Sequence, residues 1–185
     1  MQTLGISDTT PRSDGRLKSL FWPSIQTGAD VDYLGSQGYW VCAVVALVSF
    51  AVLIGIGQPI MAFTVLLFYY LSGVGVRERS RYAATMVFVV FLAGLVESGP
   101  GVVNILLSAL LLSNLRATWI ASKWKPDSEE AALPPRLGAT WGDKFADRFP
   151  MWLWPKIRIP YYVFSAGLLV LIVIGLAFVK ANGLR

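Results

Sequence analysis

From Tyr39 to Trp124 the chain is almost continuously apolar, and its interruptions are of two kinds. Gly55-Ile56-Gly57-Gln58-Pro59 and Glu97-Ser98-Gly99-Pro100-Gly101 are small and nearly uncharged, whereas Arg77-Glu78-Arg79-Ser80-Arg81 is densely basic. Glycine and proline in such groups punctuate helices, and about 20 apolar residues cross a bilayer's hydrocarbon core. The pattern therefore predicts four spans in this block: Tyr39 to Gly57, Pro59 to Val76, Tyr82 to about Glu97, and Val102 to about Ser122. Tyr161 to Val179, again without a charge, makes a fifth. The third and fourth are short, so the alternatives are a count of four or a re-entrant hairpin in their place.

Residues 1–38 have no apolar run of spanning length and read as a polar tail without a signal peptide. Within the tail, Leu17, Leu20, Phe21 and Ile25 recur near helical spacing beside Trp22, which suits a short segment on the membrane surface or a loosely packed loop. Residues 125–158 form the only sizeable soluble segment between spans. Its first half, to Pro134-Pro135, is a polar linker; in the second, Trp141, Phe145 and Phe149 lie four apart, with Asp143, Lys144, Asp147 and Arg148 largely on the other face. This predicts an amphipathic interfacial helix stopped at Pro150, continued by an aromatic belt through Trp152 and Trp154. The expected fold is thus all-α: a polytopic integral membrane helix bundle plus an interfacial amphipathic helix. Its parts are a tail (1–38), a four-helix block (39–124), a linker (125–158), and a last span with a short C-terminus (159–185).

Composition agrees. Of 185 residues, 55% are hydrophobic and 15% charged, where soluble domains average about 45–50% and about 25%; the mean hydropathy is +0.59. A net charge of +5 would suit nucleic acid, but its distribution argues for lipid instead. Arg12, Arg16 and Lys18 lie in the tail, three arginines in the 77–81 turn, and eight basic residues between Arg116 and Arg158. With five spans all of these share one side, leaving only Lys180 and Arg185 on the other. The positive-inside rule then places the N-terminus in the cytoplasm and the C-terminus outside, with a plasma (inner) membrane as the expected location and no nucleic-acid partner.

The chemistry is sparse. The chain has no histidine and a single cysteine, Cys42, within the first span, which removes the commonest general base and metal ligand. No catalytic, metal or nucleotide-binding pattern is present, so neither an enzyme nor a cofactor is expected. Gln58, Glu97 and Asn104 gather by topology near the face opposite the basic one. They form either a polar intramembrane site for a proton or cation or a wet hairpin tip with a capping amide. Ala109, Ser113, Ala117 and Ala121, spaced by four, make a small-residue face for self-association, for a partner, or for packing on the protein's own spans, with Gly94, Ser98, Ser165 and Gly175 as opposing residues. Trp141, Phe145, Phe149, Trp152 and Trp154 form a membrane-interface or partner surface. Arg77, Arg79 and Arg81 read as a topology anchor or headgroup site. Two functions follow: a non-enzymatic accessory or scaffold subunit binding other membrane components, or a small homo-oligomeric transporter or channel using Glu97.

Overall fold

The structure, a computed structural model, describes residues 21–25, 28–99, 101–123 and 141–182, apart from the side chains of residues 28, 29, 97, 98, 141, 143, 144, 179 and 180. It is all-helical, with no strand among the described residues: α1 (Gly28–Gly55), α2 (Pro59–Arg77), α3 (Arg81–Ser98), α4 (Val102–Ala121) and α5 (Trp141–Ala181). Four are long and apolar enough to cross a membrane, and α3 supplies a shorter apolar helix. Helices α3 and α4, of 18 and 20 residues, are each unbroken, about 27 and 30 Å long at 1.5 Å per residue.

Tight turns join the first four helices. Each contains one residue with φ in the left-handed region: Gly57 at 78°, Arg79 at 58° and Gly99 at 82°. Glycine takes that conformation freely, whereas Arg79 must be held there by its surroundings. Around it the Arg79 N–H donates to Val76 O and the Ser80 N–H to Gly75 O, closing the last turn of α2. Ser80 then caps α3, its hydroxyl accepting from the Ala83 N–H at 3.3 Å.

Helix α2 sits at the centre, packed on α1, α3 and α5, while α4 packs on α1 and α3. One apolar cluster joins Cys42, Val76, Ala84, Val87, Phe91 and Leu111, and a second joins Tyr39, Val74, Ala83, Ala146, Trp154 and Tyr161. The glycines of Ser72-Gly-Val-Gly-Val make this closeness feasible. A Cβ on Gly73 would fall 2.9 Å from Cys42 Cβ on α1, and one on Gly75 would fall 2.6 Å from Ala83 Cβ on α3. Small residues thus let three helices approach α2.

Two boundaries differ from the sequence expectation. Helix α1 begins at Gly28, eleven residues before Tyr39, so the end of the expected tail is helical. Within that added stretch Gly38 is an approach point: a Cβ there would meet Asn114 Nδ2 and Val76 Cγ1, both at 2.7 Å. Helix α5 does not stop at Pro150 but runs for 41 residues through Pro150, Pro155 and Pro160. Each proline removes one intrahelical N–H. Leaving the helix would strand several backbone groups at membrane depth, which costs more than one missing bond.

Candidate functional site

The polar residues of the described fold converge where α2 ends. Arg77 terminates α2 with a side chain only 4% exposed. Its guanidinium lies between carboxylates from two other helices. On one side Nε donates to Asp147 Oδ1 of α5 at 3.0 Å, and Nη2 donates to the same oxygen. On the other, Nη1 donates to Asp32 Oδ1 of α1 at 2.9 Å and Nη2 to Asp32 Oδ2 at 3.2 Å. Nη1 also reaches the Asp32 carbonyl at 2.9 Å. Arg79 adds a second cation, Nη2 donating to Asp32 Oδ1 at 3.2 Å. Two arginines thus face two aspartates. The planar fork of arginine suits such bidentate pairing, and pairing is what makes buried charge tolerable.

Beside this ion cluster lies a layer of hydroxyls binding α5 to α2 and α3. Ser72 and Tyr161 share a hydrogen bond of 2.8 Å. Tyr82 Oη donates to the Tyr162 carbonyl at 3.2 Å and lies 3.3 Å from the Ser165 hydroxyl. Ser80 and Tyr162 pair at 3.4 Å. On the other flank, buried Asn114 donates from Nδ2 to the Leu34 carbonyl at 2.7 Å, tying α4 to α1. Trp154 wedges between the two layers and packs against Tyr161, ring centroids 5.6 Å apart. Every helix of the fold therefore meets a polar contact at this one end.

The sequence-predicted residues distribute differently from expectation. Arg77 turns inward, and its burial between two carboxylates leaves it no headgroup to meet. Arg79 is largely covered, and Arg81 alone of the three is exposed, its guanidinium 5.7 Å above the Trp119 ring. Trp154 leaves the interfacial set because it is buried. Phe145 and Trp152 are exposed and Phe149 half-buried, with Phe145 and Phe149 stacked at 5.7 Å; the Trp141 side chain lies outside the described residues. Ser113 and Ala117 of the small-residue face are buried within the chain, Ala109 and Ala121 partly so. Of the residues expected to oppose them, Ser165 bonds instead to Tyr82 of α3, and Gly94 and Gly175 have open space where a Cβ would be; the Ser98 side chain lies outside the described set.

At the opposite end, Gln58 is exposed and Asn104 half-buried, with no hydrogen bond between their side chains; the Glu97 side chain lies outside the description. Among the described residues no group of three histidine, cysteine or acidic side chains is placed to hold a metal.

Pattern reading missed Asp32, Asp147, Asn114 and the tyrosine–serine layer. The available signal was the glycine-rich approach to Arg77, which marks crowded helices rather than a free turn. Comparison with protein-family models, curated proteins and solved structures finds no match for this chain.

Proposed function

We propose that this protein is a non-enzymatic accessory or scaffold subunit of a membrane assembly, and that its last helix is the arm it presents. One observation carries the reading. Helix α5 makes its buried contacts from Ala146 to Ser165, and none of its described residues after Ser165 is buried. Asp147, Trp154, Tyr161 and Ser165 hold the root of the helix against α2 and α3, while Val170, Leu171, Val173, Ile174 and Phe178 face outward. An ion cluster and a hydroxyl layer that position a span with no further buried residue among those described suit presentation to another membrane component. In this reading the basic end, carrying the 77–81 turn and the root of α5, faces the cytoplasm, as the positive-inside rule favours, and the membrane is the plasma membrane.

The test is photo-crosslinking from Leu171 and Ile174 in native membranes, followed by identification of the adduct. A defined foreign polypeptide in constant ratio supports the scaffold role. An adduct to a second copy favours the homo-oligomeric transporter or channel. Adducts to lipid alone at both positions would sink the presentation role.

A further inference from the structure

The ion cluster has an effect on the surface around it. Of the acidic side chains described, Asp30 and Asp147 are buried and Asp32 and Glu78 partly covered, so none is exposed. Of the cations, Arg81, Lys123, Arg148, Lys156 and Arg158 are exposed. Among the described side chains the carboxylates thus lie inward, and the exposed charges are cationic.

Within that face one corner is organised. Arg116 and Trp119, three apart near the end of α4, share a helix face, and Lys123 follows in the turn just after the helix. Arg81, at the start of α3, holds its guanidinium 5.7 Å from the Trp119 ring. Arg116 lies 4.7 Å from the Trp22 ring and donates to the Pro23 carbonyl at 3.0 Å, which pins the chain entering the fold beside α4. Both indoles are more than 40% exposed. Two guanidiniums thus lie over two indoles, with exposed Lys123 just beyond the end of α4, at the depth where tryptophan meets the headgroup region. A phosphodiester would meet guanidinium and ammonium donors there, and its glycerol and upper acyl segments would meet indole faces. A soluble phosphate would use the first and gain nothing from the second.

We propose that the corner formed by Arg81, Arg116, Trp119, Lys123 and Trp22 is a binding site for an anionic phospholipid headgroup of the leaflet at the basic end. It is independent of the scaffold role, since it is built from the start of α3, the end of α4 with the turn after it, and the segment before α1, and involves no residue of α5.

Native mass spectrometry of the whole protein in detergent, titrated with phosphatidylglycerol or phosphatidylcholine, tests it. The wild type retains phosphatidylglycerol in preference. The double variant Arg81→Gln, Lys123→Gln weakens that retention about thirtyfold, as two basic groups at a leaflet surface imply, and Trp119→Leu weakens it with the charge intact. A matched pair, Arg148→Gln with Arg158→Gln, removes equal charge from α5 and leaves retention near wild type. All the altered side chains, Arg81, Trp119, Lys123, Arg148 and Arg158, are exposed; unchanged circular dichroism and melting confirm the fold. Equal loss in the two double variants would overturn the localised site in favour of diffuse attraction. Equal retention of both lipids would overturn it outright, as would displacement of phosphatidylglycerol by millimolar inorganic phosphate.

Discussion

Replacing Arg77 by methionine should destabilise the protein more than replacing either of its carboxylate partners, and removing Asp147 as well should restore part of the loss. Arg77 makes two hydrogen bonds to Asp147 and three to Asp32. Without it Asp147 keeps a carboxylate that is 4% exposed and loses its guanidinium. Breaking one side of a buried pair costs about 3–5 kcal/mol, because the surviving charge is stranded. Asp32 fares better, being 22% exposed and still bonded to Arg79. In Asp147→Asn the amide oxygen still accepts, and Arg77 retains Asp32, so the expected cost is about 2 kcal/mol, near the lower value for a charge-assisted bond. In the double variant Arg77→Met, Asp147→Leu no charge is stranded on α5, and stability should recover by about 2 kcal/mol over Arg77→Met alone, roughly thirtyfold in the unfolding constant. The assay is reversible unfolding in mixed micelles of a mild detergent and dodecyl sulfate, followed by circular dichroism. A double variant no more stable than Arg77→Met would refute the stranded-charge argument, whatever the size of the single effects.

Other perturbations separate crowded positions from open ones. Gly75→Ala places a methyl 2.6 Å from Ala83 Cβ and against the Trp154 ring, and should cost about 1–3 kcal/mol as overpacking. Gly94→Ala enters open space in a helix and should be neutral or stabilising by up to about 1 kcal/mol, measured in the same unfolding assay; similar effects at both sites would contradict the packing. Tyr161→Phe leaves the Ser72 hydroxyl its bond to the Phe68 carbonyl at 2.7 Å, so a loss of about 1 kcal/mol is expected, and Ser72→Ala in that background should add little. Exposed Pro155 lies inside α5, and Pro155→Ala restores an intrahelical N–H, so the melting midpoint should rise. A fall would mean that α5 needs its prolines.

Much of the architecture was legible because the bilayer imposes it. Long apolar runs between Gly/Pro groups locate α2, α3 and α4 to within a residue or two, since backbone polar groups must be satisfied inside each helix. The misreadings share one cause, the treatment of a residue by its usual local habit. The glycine-containing run up to Gly38 resembles the end of a polar tail, Pro150 resembles a stop, and Trp154 resembles an interfacial anchor. In each case a tertiary partner overrides the habit: Asn114 and Val76 crowd Gly38, Asp147 and Trp154 tether α5 on either side of Pro150, and Gly75 opens the space that Trp154 fills. Such partners lie far along the chain, and hydrophobic periodicity carries no information about them.

The arginine turn illustrates a further limit, because counting charges is a different operation from locating them. Arg77, Arg79 and Arg81 enter the positive-inside count equally, yet they end in different environments. Arg77 is neutralised by two carboxylates, Arg79 shares one of these, and Arg81 remains at the surface beside Trp119. The count concerns the chain as it is inserted, when each cation must stay on its own side; the pairing concerns the folded bundle, in which the same Arg77 joins α1 and α5. A basic residue can therefore serve topology first and packing afterwards. The consequence is that Arg77→Lys, which preserves the count, should preserve orientation in a protease-protection assay. It should nevertheless destabilise the bundle, since an ammonium cannot span Asp32 and Asp147 with the planar fork that both carboxylates engage. Inverted orientation in this variant would show that the two roles are not separable.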